Sequence, residues 1–209
     1  LDKIPPIIIK TLLATEDKNF WTHPGFDIIA IVRASFSYLK NGLKTPKQGG
    51  STITQQLVRH FLLSKKKTLK RKVKEIILSF LLEKYITKNK ILEIYLNELF
   101  LGQGTYGITA AAKRYFNKKI DELKTYEIAL LIGLYQLPTK YNPIKNPHLA
   151  KKRQKTVLHR MFKEKIITKK EALSWYKKKI HYNTYTYKKN SSKEYFIDYV
   201  IQKSLKYLK

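Results

Sequence analysis

The chain has 209 residues, of which 43 are Lys or Arg and 15 are Asp or Glu, so its formal net charge is +28. Such an excess of positive charge predicts a polyanionic partner, whether nucleic acid, anionic lipid headgroups or a phosphorylated substrate. The apolar content of 43% is high enough for a folded domain, and the absence of cysteine excludes disulfides, thiolate zinc sites and a cysteine nucleophile.

The apolar residues recur mostly at helical spacing, which predicts a mainly helical fold. A first helix is predicted after Pro5-Pro6, with the break at His23-Pro24-Gly25. Asp27 is positioned to cap a second helix, IIAIVRASFSYLK, which is predicted to end at Asn41-Gly42. This second segment has a strongly apolar face with basic residues at its end, so it is predicted to dip into a membrane interface. The alternative is an ordinary core helix.

Glu16 is the first candidate catalytic residue. It lies on the helical stripe of Leu12, Leu13 and Phe20, near the end of the first helix. Apolar surroundings and the negative end of the helix dipole both disfavour ionisation, so the pKa of this carboxyl is predicted to be raised, which suits a general base or acid. The alternative is a glutamate at the protein rim, paired with a lysine such as Lys18.

Residues 48–58, QGGSTITQQLV, are uncharged inside this basic sequence. Gly49-Gly50 allows a tight turn, and Thr52 with Gln55 fits the capping box that begins a helix. A helix N-terminus at this position would offer N–H groups to a phosphate or pyrophosphate, and Arg59 would add charge. The alternative is a capped surface helix after a glycine loop. The stretch is not a nucleotide-binding P-loop, because the Gly-Lys-Ser/Thr ending is missing.

Glu75 is the second candidate carboxylate. Its helix has apolar residues on opposite faces, which predicts that the helix is buried almost all round. Glu75 shares a side with Arg71, one turn earlier, and Lys72 is close by. Such a carboxylate can form a structural ion pair, or it can organise cations or a metal around a leaving pyrophosphate.

The remaining helices are predicted at about residues 52–64, 69–86, 88–101, 108–116, 125–137 and 148–165. Strand signals are weak apart from the alternation HYNTYTY near Tyr185. No apolar run is long enough to span a bilayer, and no signal peptide is recognisable.

Five stretches together resemble the family 51 glycosyltransferases, the peptidoglycan polymerases of penicillin-binding proteins. EDKNFWTHPGFD (16–27) matches every position of the first family signature, and GGSTITQQ (49–56) is similar to the second. RKVKE (71–75), KNKILEIYLNELFLGQGTYGI (88–108) and ALLIGLYQLPTKYNPIKNPHLAKKRQKTVLHRM (129–161) resemble the third, fourth and fifth. The resemblance covers nearly all of the chain.

Two positions depart from the family pattern. Arg59-His60 replaces the usual Lys-Asn, and Lys67 stands where the family often has arginine. Positive charge is kept in both places, but an arginine that can bind phosphate in bidentate fashion is gained at position 59 and lost at position 67, so the phosphate contacts are expected to differ from the family pattern.

The resemblance implies a mainly α, lysozyme-like multi-helix domain with a small membrane-associated jaw lobe at about residues 28–47. The glycosyltransferase domain is expected to cover residues 1–165. Residues 166–209 are expected to form a helical tail, since EYFIDYVIQKSLKYL (194–208) resembles the segment that leads into a transpeptidase domain. That transpeptidase domain would lie outside this chain.

The implied reaction is the polymerisation of lipid II into β-1,4-linked glycan strands, with inversion at the anomeric carbon and release of undecaprenyl pyrophosphate. By this resemblance Glu16 takes the proton of the acceptor hydroxyl, and Glu75 acts at the departing pyrophosphate. The implied substrate-binding residues are Ser51, Gln55, Gln56, Arg59, Lys67, Arg71 and Lys72. A divalent cation, Mg²⁺ or Mn²⁺, is the candidate cofactor, and no organic cofactor is expected.

The implied partners are lipid II, lipid-linked glycan, an anionic membrane surface and other cell-wall synthesis proteins. The implied location is the outer face of the bacterial cytoplasmic membrane, with a transmembrane anchor outside this chain. A lytic enzyme would keep Glu16 but would not need the cations around Glu75. A nucleic-acid-binding module would explain the charge but not two embedded carboxylates, so no nucleic-acid partner is expected.

Overall fold

Helices make up most of the structure, a computed structural model that describes residues 1–40, 50–64, 66 and 68–183. The helices of this part are α1 (Pro6–Glu16), α2 (Ile28–Lys40), α3 (Ile53–Leu62), α4 (Leu69–Tyr85), α5 (Lys88–Glu98), α6 (Ile108–Phe116), α7 (Thr125–Leu134), α8 (Pro147–Lys163) and α9 (Lys169–Lys177). A short hairpin of β1 (Phe100–Gly102) and β2 (Thr105–Tyr106) follows α5, and a 3-10 turn covers Ile120–Glu122. The mainly helical prediction is confirmed.

Helix α7 is the centre of the core. Its sequence, TYEIALLIGL, is apolar almost all round, and every residue from Glu127 to Leu134 is buried. Helices α1, α6, α8 and α9 pack against it. Its buried acidic residue is neutralised, because Lys118 Nζ lies 2.7 Å from one carboxylate oxygen of Glu127 and 2.9 Å from the other. The site-bearing helices α1 and α8 are therefore fixed to a rigid apolar helix.

The first helix ends earlier than predicted. It stops at Glu16, and residues 17–26 form turns, so the prediction of a break only at His23-Pro24-Gly25 is wrong. The reason is Asp17, whose carboxylate accepts hydrogen bonds from His23 and from the backbone N–H of Ile53, 36 residues away. Phe20 is still buried, but it reaches the core from a turn. The predicted position of Glu16 near the helix end is confirmed.

Helix α4 contradicts the prediction that it is buried all round. Only Glu75 and Ser79 are buried, whereas an apolar stripe faces outward and includes Leu69 (88% exposed), Val73 (56%) and Ile77 (53%). The backbone of Gly25 explains the orientation, because a Cβ at that position would lie 2.4 Å from the carbonyl oxygen of Ser79. The loop after α1 thus packs against the polar side of α4, and no described element covers the apolar stripe fully.

Several predicted elements differ in extent or were missed. The hairpin was not predicted, and α9 lies in the segment 166–209 that was expected to form a helical tail without stated helix bounds. Helices α3, α5, α7 and α8 end two or three residues before their predicted ends. The predicted end of α2 at Asn41-Gly42, the alternation near Tyr185 and the segment 194–208 lie outside the described residues. The jaw lobe at 28–47 and the domain boundary at 165 stay predictions. Among the helices that the structure describes, none has the length and apolar character needed to cross a membrane.

Candidate active site

Glu16 is held at the end of α1 with its side chain only 9% exposed. Arg153 donates from Nη2 to Oε1 at 2.8 Å, and Gln56 donates from Nε2 to Oε2 at 3.3 Å. Burial raises the pKa of Glu16 above its usual range, and the Arg153 charge and the Gln56 hydrogen bond offset only part of that rise. The predicted direction is confirmed, but the ion-pair partner is Arg153, while Lys18 is exposed. The carboxylate therefore accepts a proton more readily than an exposed glutamate does.

Tyr95 fixes the orientation of the Gln56 amide. The Tyr95 hydroxyl donates to Gln56 Oε1 at 2.9 Å, so the NH₂ group of Gln56 faces Glu16. Tyr95 is fully buried and stacks on Tyr135 with ring centroids 5.0 Å apart. Burial, and then the nearby Glu16 charge, raise the pKa of Tyr95 well above its usual value, so its hydroxyl keeps its proton. Gln56 is therefore a fixed donor to the candidate base.

Sequence reasoning missed Arg153. It lies on α8 in the run KKRQK, where no single basic residue stands out, and it is 137 positions from Glu16. A signal was present, since the buried residues of α8 include Ala150, Gln154 and Val157. Arg153 completes the spacing i, i+3, i+4, i+7 with them, which marks it as the basic residue of the run that faces the core.

Glu75 is fully buried and is surrounded by cations. Arg71 Nη1 lies 2.8 Å from Oε2, Lys72 Nζ contacts Oε1, and Arg59 Nη1 lies 3.7 Å from Oε1. The predicted grouping of Glu75 with Arg71 and Lys72 is confirmed, and Arg59 joins it from α3. Three cations share one carboxylate, so the cluster keeps a net positive charge that an anionic group can neutralise. Lys67, the fourth predicted cation, lies outside the described residues.

Ser51 and Gln55 extend this cluster. Lys72 Nζ donates to Ser51 Oγ at 2.9 Å and lies 3.4 Å from Gln55 Oε1. The predicted capping box is confirmed, because Thr52 Oγ1 accepts from the backbone of Gln55, whose Oε1 accepts from the backbone of Thr52. Two buried donors, Gln55 Nε2 and Arg71 Nε, have no hydrogen-bond partner in the part of the chain that the structure describes. Both atoms are enclosed beside the cations, without contact with solvent.

The first signature acts as the scaffold that positions α3. Asp17 Oδ2 accepts from Ile53 N at 2.9 Å and lies 2.9 Å from His23 Nε2, while Thr52 Oγ1 donates to Gly25 O at 2.7 Å. Since Gly25 N donates to His23 Nδ1, the proton of His23 is assigned to Nε2, which donates to Asp17. These bonds tie the start of α3 to the loop after Glu16. Helix α3 can then reach both carboxylates, through Gln56 on one side and Arg59 on the other.

The donor set around Glu75 does not fit a divalent cation held by the protein. Both carboxylate oxygens already contact Arg or Lys groups, and oxygen ligands are what Mg²⁺ requires. No group of three His, Asp or Glu residues in the described ranges could hold a metal. The divalent cation stays a prediction.

Comparison with known proteins gives consistent matches. A family model described as Transglycosylase matches residues 1–162. Penicillin-binding protein 1A of Rickettsia prowazekii is 45% identical over 177 residues, which cover 83% of this chain and 22% of that protein. Penicillin-binding protein 1A of Aquifex aeolicus is 44% identical over 202 residues, covering 96% of this chain and 27% of that protein. The chain therefore spans about a quarter of the length of these relatives.

One solved structure is also similar. It is the crystal structure of penicillin-binding protein 1A from Haemophilus influenzae, with a TM-score of 0.46 and 26% sequence identity. The match covers 72% of this chain and 19% of the other.

Proposed function

The chain belongs to the transglycosylase family, and from this membership we propose that it is a peptidoglycan glycosyltransferase. It polymerises lipid II into β-1,4-linked glycan strands, with inversion at the anomeric carbon and release of undecaprenyl pyrophosphate. The observation that carries the proposal is a buried carboxylate base, Glu16, joined through α3 to a cation cluster around Glu75.

Glu16 is the general base in this proposal. The acceptor 4-hydroxyl gives its proton to the Glu16 carboxylate while its oxygen forms a bond to the anomeric carbon of the donor. The bond from that carbon to the pyrophosphate oxygen breaks on the opposite face, which inverts the centre. Because Arg153 occupies Oε1 at 2.8 Å and Gln56 approaches Oε2 only at 3.3 Å, Oε2 is the better proton acceptor.

The cluster around Glu75 binds the leaving pyrophosphate. A pyrophosphate departs as an anion, so it needs positive charge and hydrogen-bond donors rather than an acid. Arg59, Arg71 and Lys72 supply the charge, and the partly exposed N–H groups at the ends of these side chains supply directed donors. Ser51 holds the Lys72 ammonium in place. Lys67 remains a predicted fourth cation.

A lytic glycosidase is the second candidate, favoured by one observation. A glutamate with a raised pKa suits a general acid, which a sugar leaving group requires. The Arg153 contact at 2.8 Å favours the ionised carboxylate, however, and hydrolysis would leave the cations around Glu75 without a role. These two features support the polymerase.

The outward apolar side chains support membrane association. On α2, Ile28, Ile29, Val32 and Phe36 are exposed, which contradicts the core-helix alternative. The ring of Phe26, just before α2, lies edge-on to Phe80 of α4 at 6.4 Å, so the start of α2 is close to α4. An exposed apolar surface on a chain of charge +28 fits an anionic lipid interface. The proposed location is the outer face of the bacterial cytoplasmic membrane, with the anchor outside this chain.

The test is product analysis on lipid II. Purified chain is incubated with labelled lipid II, with and without moenomycin, and the products are separated by size. We expect glycan polymer that moenomycin abolishes. Glu164→Gln, at an exposed carboxylate, is the control that should polymerise normally. Release of shortened muropeptides from preformed glycan, with no polymer from lipid II, would overturn the proposal in favour of a lytic enzyme.

A further inference from the structure

Arg153 reaches Glu16 through a space that a single glycine leaves. Its side chain is only 11% exposed, and it crosses from α8 to the end of α1, passing over α7. On the way Nε lies 3.4 Å from the carbonyl oxygen of Gly133, and the guanidinium ends 2.8 Å from Glu16 Oε1. Two separate contacts therefore fix the direction from which Arg153 approaches.

Gly133 lies inside α7, where a glycine is less favourable than alanine. Its backbone does not have the positive φ that would require glycine. A Cβ on Gly133 would, however, lie 3.0 Å from Cγ of Arg153 and 3.8 Å from its Cβ. The missing side chain thus leaves room for the Arg153 stem, and packing, rather than backbone conformation, explains the glycine.

The charged and polar groups that face Glu16 come from helices α3, α5 and α8 and from the residue after Glu16. Helix α8 contributes Arg153 and Arg160, the residue after Glu16 contributes the Asp17 carboxylate, and α5 contributes the neutral Tyr95 hydroxyl. Helix α3 contributes the uncharged Gln56 amide. In the described part of the chain, Arg153 is the one cation within ion-pair distance of Glu16. Its charge therefore opposes protonation of the buried Glu16 carboxyl more than any other neighbouring group does.

We propose that Arg153 is a positioning residue that keeps Glu16 ionised and fixed in direction, and that Gly133 sets how closely Arg153 can approach. The inference rests on the proposed function, since it assigns a partner to the base of that reaction. Arg153 does not exchange a proton with substrate. It acts through Glu16, by occupying Oε1 and leaving Oε2 to the acceptor hydroxyl.

Two measurements test this role. The first is a direct ¹³C NMR titration of the Glu16 carboxyl, assigned by its loss in Glu16→Gln, and the second is the pH profile of kcat/KM for lipid II polymerisation. An opposite charge at this range lowers a carboxyl pKa by about 1–3 units. In Arg153→Gln we expect the pKa from the NMR titration and the pKa of the acidic limb of the kcat/KM profile to rise together by that amount. The reason is that the Arg153 charge no longer opposes protonation of Glu16.

Further variants separate charge from packing. Arg153→Lys keeps the positive charge, so the pKa of Glu16 should shift less than in Arg153→Gln. The plateau rate should still be lower, because lysine lacks the planar guanidinium that fixes the direction of the contact. Gly133→Ala should shift the pKa of Glu16 in the same direction without lowering the melting temperature. This variant keeps the test valid if Arg153→Gln folds poorly. Lys152→Gln removes an exposed charge from the same helix and should leave both measurements unchanged.

The outcomes distinguish this inference from the proposed function. An unshifted Glu16 titration in Arg153→Gln or Gly133→Ala, even with activity lost at every pH, would overturn the positioning role. If the Glu16 titration shifts in these variants but the wild-type chain forms no polymer, the polymerase proposal is refuted and the effect of the Arg153 charge on Glu16 still holds.

Discussion

Gln55 and Gln56 are consecutive residues of α3, yet their side chains contact the two different halves of the candidate active site. Gln56 donates to the Glu16 carboxylate, while the side-chain oxygen of Gln55 lies 3.4 Å from Lys72, which contacts Glu75. Successive residues in an α-helix are turned by about 100°. One step along α3 therefore separates the side chain that contacts the candidate base from the side chain that contacts the cation cluster.

Replacing Glu16 by Gln should abolish most polymerisation. The amide cannot accept the acceptor proton, and loss of a general base commonly costs about 10²–10⁴-fold in rate. The wild type should lose activity as the pH falls through the raised pKa of Glu16, because protonation removes the base. Polymerisation rate against pH measures both effects, and circular dichroism checks the fold. Near-normal turnover by a folded variant would refute the assignment.

Replacing Glu75 by Gln should lower both stability and activity. Arg71 and Lys72 would lose their shared counter-charge, and removing one partner of a buried ion pair costs about 3–5 kcal/mol. Because both cations are partly exposed, we expect the lower end, about 3 kcal/mol. Departure of the lipid pyrophosphate should also be impaired.

Melting temperature, polymer formation and binding of a donor analogue should be measured on the same Glu75→Gln sample. A variant that melts earlier but polymerises at the wild-type rate would make Glu75 a purely structural ion-pair partner.

Replacing Gly25 by Ala should destabilise the chain more than the same change at Gly104. Both glycines have positive φ, +94° and +73°, so both substitutions carry backbone strain. Only at Gly25 would the added Cβ meet another backbone, 2.4 Å from Ser79 O, whereas at Gly104 nothing lies within 4 Å. Thermal melting of the pair isolates the cost of the close approach. Equal melting temperatures would show that α4 does not depend on this contact.

Vesicle binding should depend on salt and on the apolar stripe of α4. Each Lys or Arg near an anionic leaflet contributes about 1 kcal/mol, so co-sedimentation should weaken as salt rises. The double variant Val73→Ser, Ile77→Ser should bind at least about 10-fold more weakly, since each side chain gains more than 1 kcal/mol on burial. Leu173→Ser, at an exposed leucine of α9, is the matched control. Binding that neither salt nor the double variant reduces would contradict the membrane assignment.

Local rules predicted the parts of the site that form within one or two helical turns. The capping box of Thr52 and Gln55 and the pairing of Arg71 with Glu75 both follow from spacing along one helix. The raised pKa of Glu16 followed from its apolar neighbours and its place near a helix end.

The relationships missed by sequence reasoning join distant parts of the chain. Arg153 meets Glu16 only because α8 packs on α7 and α1. The direction that α4 faces depends on the approach of Gly25 to Ser79, not on the apolar content of α4 itself. The length of α1 depends on Asp17 bonding to Ile53. Periodicity shows which residues share a side, but tertiary contacts decide which side is buried.

The outward stripe of α4 has a consequence for where a reaction would occur relative to lipid. Glu75 and the apolar residues lie on opposite sides of the same helix, whose diameter with side chains is about 10–12 Å. With the stripe resting on the hydrocarbon boundary, the cation cluster would lie one helix thickness above it, in the layer of lipid headgroups. A polyprenyl carrier could then present its phosphates there while its tail stays in the bilayer, so neither arrival nor departure would require lifting the tail into water.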